Sequence, residues 1–213
     1  MNIGFFYTAI RTTTVANATI IIALQPALIM VLAKPLFHET VRPRELLWAG
    51  VAFAGVALVV YGSSGAPDWS PKGDLLAVGS LLGWTWYFIV SKRARQTLGA
   101  LEYQTALLAT AAIVLLPVAL IWGKGLSPGP AIKWLWVLAV VAAAGSAHLL
   151  VNWAHRYVPI TRSSLLTLSQ PPFSLLAGAL FLGQNPKPLQ LAGMAIVLVA
   201  LAMVINARRP AHV

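Results

Sequence analysis

Seven long apolar runs, separated by short connections, constrain this chain more than any other feature. They cover residues 15 to 37, 46 to 63, 74 to 91, 103 to 122, 133 to 154, 161 to 183 and 189 to 206. About 20 apolar residues in an α-helix cross a bilayer core, so each run can span a membrane. Only 9% of the 213 residues are charged, too few to give a soluble protein of this size a polar surface. The sequence therefore predicts an all-α integral membrane protein with about seven transmembrane helices.

The first ten residues, MNIGFFYTAI, form a further apolar segment that is too short to cross a bilayer. They also lack the basic start of a secretory signal peptide. We interpret this segment as the end of a helix, so the sequence predicts an N-terminal partial helix followed by seven spans.

The net charge of +10 does not indicate a nucleic-acid partner, because the basic residues lie in small groups between the apolar runs and form no continuous basic face. No phosphate-binding Gly-rich loop with Lys and Ser or Thr is present, so ATP hydrolysis is not expected. The sequence contains no cysteine, which excludes thiolate metal sites and cysteine nucleophiles. His148, Asn152 and His155 are one carboxylate short of a convincing metal site. We therefore predict a protein that is not an enzyme and has no cofactor.

The distribution of Lys and Arg predicts the orientation of the spans, since positive charge collects on the cytoplasmic side. One side carries the larger group: Lys34, Arg42, Arg44, Lys92, Arg93, Arg95, Arg156, Arg162, Arg208 and Arg209. The other side carries half as many: Arg11, Lys72, Lys124, Lys133 and Lys187. The carboxyl terminus belongs to the first side, so we predict that it is cytoplasmic and that the protein lies in the cell (inner) membrane.

Two parts of the sequence, residues 5 to 41 and 150 to 186, resemble each other. The matched pairs include Gln25 with Gln170, Pro26 with Pro171, Glu39 with Gln184 and, after a two-residue slip, Gly50 with Gly193. The loop after the first Gln-Pro pair lies on the predicted cytoplasmic side and the loop after the second lies outside. The two copies are therefore predicted to be inverted in the membrane. Inverted repeats with interrupted helices are typical of transporters that bind their ligand near the membrane midplane.

The stretches IALQPALIMVLAKPLFHETVRPRELLWAG and HRYVPITRSSLLTLSQPPFSLLAGALFLGQNPKPLQLAG resemble the EamA-like transporters of the drug/metabolite transporter superfamily. The resemblance implies a permease of two inverted five-helix units, with ten spans in all. It also implies that this chain lacks the first two helices and most of the third, and that Gln184 stands where the family usually has Glu. We expect an incomplete first repeat over residues 1 to 63 (end of helix 3, helices 4 and 5) and a complete second repeat over residues 74 to 207 (helices 6 to 10). The Pro-, Gly- and Ser-rich residues 62 to 74 separate them.

Three predicted helices carry polar or aromatic side chains spaced so that they share one face. The three faces are Ser80, Trp84, Tyr87 and Ser91; Gly145, His148, Asn152 and His155; and Ser163, Thr167, Gln170 and Ser174. Lipid does not favour such faces, whereas a cavity or a packed helix interface does. Trp84, Tyr87, Asn152 and Thr167 are therefore candidate substrate-pathway residues. Packed aromatic rings and hydroxyls bonded to their own helix are the alternative.

His148 is the sharpest candidate, because it is the only ionisable side chain deep in a span. A neutral imidazole bonded to a neighbouring helix is the alternative. Asn152, one turn further on, shares its face and could fix its tautomer. His155 lies near the inner interface beside Arg156 and is expected to be solvated. All five carboxylates fall at span ends or in loops: Glu39, Glu45, Asp68, Asp74 and Glu102. Proton coupling could therefore run only through His148.

Gln25 and Gln170 complete the candidates, since each stands beside proline within an apolar run. The helix-breaking residues are Pro26, Pro171 and Pro172. Proline has no N–H and displaces the carbonyl four residues earlier, so we expect the carbonyls of Thr167 and Leu168 to be freed. An adjacent amide can satisfy such a carbonyl or bind a ligand, and the sequence leaves both open.

We expect a permease that moves a small neutral, zwitterionic or amphipathic metabolite, such as an amino acid, across the cytoplasmic membrane by alternating access. Its expected partners are the lipid bilayer and a small-molecule substrate. The helices that the resemblance implies to be missing leave a second hypothesis. On that hypothesis the chain is a truncated or partner-dependent membrane interaction protein without transport activity, associated with a second copy or with another membrane chain.

Overall fold

The computed structural model describes residues 2–64, 70–122 and 129–206, and these residues form ten α-helices and no strand. The helices are α1 Asn2–Thr12, α2 Val15–Ala23, α3 Gln25–Phe37, α4 Pro43–Ser64, α5 Pro71–Ala94, α6 Ala100–Trp122, α7 Ala131–Tyr157, α8 Ile160–Leu166, α9 Gln170–Leu182 and α10 Pro188–Asn206. A 3-10 turn, Thr167–Ser169, lies between α8 and α9. The predicted all-α class is confirmed.

Seven stretches of the described residues are long and apolar enough to cross a membrane. They are Val15–Phe37, Pro43–Ser63, Pro71–Ala94, Ala100–Ile121, Ala131–Tyr157, Ile160–Leu182 and Pro188–Asn206. Each predicted apolar run is therefore found, and α1, with 11 residues, remains too short to span. Part of the predicted linker is helical, since α4 and α5 extend into it. Asp68, Lys124, Arg208 and Arg209 lie outside the described residues.

Large apolar side chains cover the outside of these helices. Phe181 is 84% exposed, Leu180 77% and Ile113 74%. Surface of this kind would aggregate in water, whereas acyl chains are as apolar as leucine and solvate it well. The exposure is what a membrane span requires.

Two of the spans are broken at the positions where the sequence places Gln-Pro. Leu24 separates α2 from α3, the 3-10 turn separates α8 from α9, and Gln25 and Gln170 begin the second helix of each pair. Proline near the first position of a helix costs no helical hydrogen bond. The 3-10 turn lets the N–H of Gln170 donate to the carbonyl of Thr167. The expectation that this carbonyl is freed is therefore wrong, because the tighter turn supplies a donor.

The two broken helices also end alike. His38 follows α3 with φ 56° and Gly183 follows α9 with φ 64°, both left-handed, a conformation that glycine adopts at no steric cost. These positions are as far apart in the sequence as Gln25 and Gln170. The backbone thus repeats where the side chains of the two copies match.

The chain divides into two compact units. The first comprises Met1–Phe88 with Pro159–Val213, and the second comprises Ile89–Val158. The core of the first unit is formed chiefly by α2, α4, α10 and the broken helix α8 to α9, with Val56, Val197 and Leu165 each at most 1% exposed. In the second unit the end of α5 packs with α6 and α7.

Helices α4 and α10 touch through their backbones. A Cβ added to Gly193 would lie 2.6 Å from the carbonyl oxygen of Gly55 and 2.8 Å from the N atom of Val59. Close approach through glycine is a common way for membrane helices to associate. Matching helices of the two copies thus pack closely against each other in the first unit.

Candidate functional site

A cavity of about 500 Å³ lies inside the first unit, beside the break between α8 and α9. Its lining residues are Phe6, Val15, Thr19, Ile22, Ala23, Val59, Val60, Ser63, Trp84, Thr167, Leu168, Gln170, Pro171, Ser174, Leu175, Gln184 and Gln190. The volume falls within the range of about 300 to 1,000 Å³ that is usual for small-molecule sites. This cavity is the candidate functional site.

The cavity reaches from the helix break to one end of the spans. Gln170 lies at the break, whereas Val15 is the first residue of α2 and Ser63 lies in the last turn of α4. The amide of Gln190, in the first turn of α10, donates to Ser63 Oγ at 2.7 Å. Because this bond places the ends of α4 and α10 side by side, the cavity connects the middle of the first unit with that end of its helices.

None of the lining side chains, all of them in the part of the chain that the structure describes, is charged. Polar groups come instead from the indole of Trp84 and from amides and hydroxyls. These are Thr19, Ser63, Thr167, Gln170, Ser174, Gln184 and Gln190. An ion that loses its hydration without a counter-charge is strongly disfavoured. The site therefore suits a ligand without net charge that can exchange hydrogen bonds.

Some of these polar groups are already engaged by the protein. Thr167 Oγ1 donates to the carbonyl of Ser164 at 2.6 Å, and the amide of Gln190 is bonded at both of its ends. The side chains of Gln170 and Ser174 make no hydrogen bond within the described residues, although both are exposed to the cavity. These two side chains have the most capacity left for a ligand.

An aromatic cluster on α5 supports one wall of the cavity. Trp84 lines it, and Tyr87 stacks on Trp84 with ring centroids 5.1 Å apart and planes 15° from parallel. Phe88 meets Trp84 edge to face at 5.2 Å. Tyr87 is half-buried and is not among the lining residues, so it fixes the orientation of the indole from outside the wall. Trp86, on another face of α5, is 66% exposed.

Asn152 forms the centre of a buried polar network in the second unit. It accepts a hydrogen bond from Ser91 Oγ at 2.8 Å and donates one to Gln104 Oε1 at 2.6 Å. Its backbone carbonyl accepts from Arg95 Nε at 2.9 Å. This network joins α5, α6 and α7 where each is buried. A role of Asn152 in a substrate pathway stays a prediction.

His155 is fully buried, so the expectation that it is solvated is wrong. Its Nδ1 lies 2.8 Å from Ser91 Oγ. The physical reason is that α7 continues to Tyr157, which keeps His155 inside the helix on the same face as Asn152. His148 is half-buried one turn before Asn152. His148 is not a lining residue of the cavity in the first unit, and its proposed role also stays a prediction.

Gln25 differs from its counterpart Gln170. Its side chain is 1% exposed, and neither amide atom has a hydrogen-bond partner within the described residues. Pro26 and Pro172 are buried beside the breaks, whereas Pro171 lines the cavity. An unsatisfied amide in a buried position costs about 1 to 3 kcal/mol and calls for an explanation.

Sequence reasoning missed Ser63 and Gln190, which come from helix ends, and also Thr19 in α2. Polar residues at the end of a span look like ordinary interface residues, so only their tertiary arrangement identifies them. The match between Gln184 and Glu39 was a usable signal, because it marks corresponding positions of the two copies. No group of three or more His, Asp or Glu side chains in the described ranges is placed to hold a metal ion.

A helical membrane protein with two matched broken helices, and with an uncharged cavity beside one of the breaks, has the architecture of a secondary transporter. Sequence comparison identifies the transporter family. The EamA-like transporter family matches residues 1–61 and 71–206, and the chain belongs to that family. An "Uncharacterized transporter" of Archaeoglobus fulgidus is 24% identical over 204 residues, covering 93% of this chain and 70% of that protein. A solved crystal structure of a protein superposes with a TM-score of 0.81 at 22% identity, covering 95% of this chain and 72% of the other, and shares the fold.

Proposed function

We propose that the protein is a permease of the drug/metabolite class that moves a small neutral, zwitterionic or amphipathic metabolite, such as an amino acid, across the cytoplasmic membrane. One observation carries the proposal: a cavity of about 500 Å³ beside a broken transmembrane helix, whose lining combines apolar side chains with amides, hydroxyls and an indole and has no charged side chain among the described residues.

The chemistry of the walls supports a ligand without net charge. The amide of Gln170 offers both a donor and an acceptor, and the hydroxyl of Ser174, one turn along α9, offers both as well. The apolar side chains of Ile22 and Leu175 and the indole of Trp84 give the remaining surface. A molecule with one polar end and an apolar body matches this division.

The inverted repeat supports alternating access as the mode of transport. Two copies with opposite orientation can exchange their conformations, so that a site between them faces first one side and then the other. The two broken helices, α2 to α3 and α8 to α9, are matching elements of such an exchange. We further propose that the carboxyl terminus is cytoplasmic, on the basis of the Lys and Arg distribution.

Flux measurements in proteoliposomes test the site. We expect Gln170→Ala to lower the uptake of a transported solute about tenfold, since a lost ligand hydrogen bond costs up to about 1.5 kcal/mol. Gln96→Ala is the matched control, because Gln96 is exposed in the turn after α5. Uptake equal to that of the unsubstituted protein in both variants would refute the site. Loss of uptake in both would point to damage that has no connection with the cavity.

A partner-dependent membrane protein is the second candidate function. It is favoured by the spans Ala100–Ile121 and Ala131–Tyr157, of whose most apolar windows only 6% and 0% are buried. These faces could contact another membrane chain instead of lipid. Reconstitution of the purified chain alone separates the two functions, since a partner-dependent protein gives no uptake above that of protein-free liposomes.

A further inference from the structure

Glu39 and Gln184 occupy corresponding positions just after the two broken helices. The N–H of Glu39 donates to the carbonyl of Ala33 at 3.3 Å, and the N–H of Gln184 donates to that of Gly178 at 3.1 Å. Each of the two residues comes directly after the left-handed residue that follows its helix, His38 or Gly183. The backbone therefore presents the two side chains in the same way, at opposite ends of the inverted repeat.

The carboxylate of Glu39 is bonded to the start of the other broken helix. One oxygen accepts from the N–H of Ile160 at 2.8 Å, and the other accepts from the N–H and the hydroxyl of Thr161 at 3.3 and 3.0 Å. Ile160 is 0% and Thr161 3% exposed. A carboxylate on the first N–H groups of a helix is electrostatically favourable. Glu39 thus connects the first copy to the second, and the first unit is closed at the end where α3 ends and α8 begins.

The described residues form no corresponding contact at the other end of the broken helices. The positions that match Ile160 and Thr161 are Val15 and Ala16, the start of α2. Within the described residues Gln184 makes no hydrogen bond to either. Its side chain lies over Gly178 instead. Val15 and Gln184 both line the cavity, and Val15 is 53% exposed. The cavity opens where this contact would otherwise close it.

The matched glutamines follow the same asymmetry. Gln170, on the open side, is exposed to the cavity, whereas Gln25 is buried without a hydrogen-bond partner among the described residues. An exchange of conformations between the two copies would bury Gln170 and expose Gln25. The cost of the buried amide of Gln25 is then confined to one of two states.

We propose that Glu39 and Gln184 are alternating latches of the transport cycle. In this structure the Glu39 carboxylate binds the start of α8, and the first unit is closed at that end of its helices. In the alternate state Gln184 binds the N–H groups of Val15 and Ala16 at the start of α2, while Glu39 releases Ile160 and Thr161. The proposal rests on the proposed transport function, but it concerns the equilibrium between two conformations and has its own test.

Cysteine labelling measures that equilibrium without any solute. The chain contains no cysteine, so Ser174→Cys and Ile29→Cys are single reporters at matching positions. Ser174 is exposed in the cavity, whereas Ile29 is 0% exposed. In nanodiscs, where both membrane faces meet water, a water-soluble maleimide should label Cys at position 174 quickly and Cys at position 29 slowly.

Glu39→Ala removes the carboxylate that binds Ile160 and Thr161 in this structure. We expect it to raise the ratio of labelling at position 29 to labelling at position 174 by about tenfold or more, as the loss of charge-assisted hydrogen bonds implies. Gln184→Glu strengthens the opposite latch and should change the ratio in the same direction. An unchanged ratio in both variants would overturn the proposal. So would faster labelling at both positions, because it indicates general loosening instead of an exchange.

Glu102→Ala is the matched control. The carboxylate of Glu102 accepts from the N–H of Gly99 at 2.7 Å, so it caps its own helix and connects no repeats. An equal change of the ratio in this variant would also overturn the proposal, since the effect would then follow from lost charge alone. If the labelling ratio shifts but the chain moves no solute, the proposed transport function is refuted and the latch proposal stands. If flux is normal and the labelling ratio does not shift, only the latch proposal is refuted.

Discussion

The backbone contact between α4 and α10 gives a quantitative test of the packing. A Cβ on Gly193 would lie 2.6 Å from the carbonyl oxygen of Gly55, whereas carbon and oxygen in ordinary contact are at least 3.4 Å apart. Gly193→Ala therefore forces the two helices to separate by about 1 Å over their tightest contact. Overpacking of this size costs about 1 to 3 kcal/mol, and the better helix propensity of alanine offsets up to about 1 kcal/mol of it.

Gly50→Ala is the control for that substitution. Gly50 lies in α4, the helix that Gly193 of α10 contacts, but a Cβ at position 50 meets no atom within 4 Å. The difference in unfolding free energy between the two variants isolates the packing cost, because both gain the same propensity. Titration with sodium dodecyl sulfate in mixed micelles, followed by tryptophan fluorescence, measures it. Equal stability of Gly193→Ala and Gly50→Ala would refute the close contact.

Four further outcomes are expected. Gln25→Met should leave the unfolding free energy unchanged or raise it by up to about 2 kcal/mol, since it removes a buried amide without partners; a clear loss of stability in the same titration would contradict this. Asn152→Leu should lower the unfolding free energy by about 1 to 3 kcal/mol by stranding its buried partners, whereas Ser146→Ala, which removes only a hydrogen bond within its own helix, should have little effect. His148→Ala should lower proteoliposome flux while the protein still inserts, and unchanged flux would remove His148 from the pathway. A green fluorescent protein fused to the carboxyl terminus should fluoresce in cells, and a periplasmic phosphatase fused there should be inactive; the reverse pattern would invert the orientation.

The spans and their breaks could be predicted from the sequence because both follow from local physics. About 20 apolar residues in succession have few alternatives to a membrane helix, and Pro26 and Pro171 cannot continue a helix without a change in its hydrogen bonds. The match of Gln25 with Gln170 was visible as well, since it appears when residues 5 to 41 are aligned with residues 150 to 186.

The walls of the cavity could be predicted only in part. Trp84 lies on the polar face of one predicted helix, and Thr167 and Gln170 lie on that of another. Periodicity within a single helix therefore identifies all three residues. Ser63 and Gln190 come from different helices and meet only in the folded unit, which no single-helix pattern can reveal.

The buried network around Asn152 shows the opposite difficulty. Periodicity places Asn152 and His155 on one face correctly, but a polar face fits a water-filled path and a packed helix interface equally well. The hydrogen bonds to Ser91 and Gln104 decide that the interface is packed in this structure. Whether a polar face is wet or bonded depends on the neighbouring helices, and the sequence does not contain their positions.

Counterflow in proteoliposomes tests the central claim most directly. Liposomes that contain the purified chain are loaded with an unlabelled neutral or zwitterionic solute, such as an amino acid, and the uptake of the labelled solute is measured over time. Alternating access predicts uptake that exceeds that of protein-free liposomes and is accelerated by the loaded solute, with the acceleration reduced by Gln170→Ala. Uptake no faster than in protein-free liposomes, across a panel of such solutes, would contradict the claim that this chain is a permease.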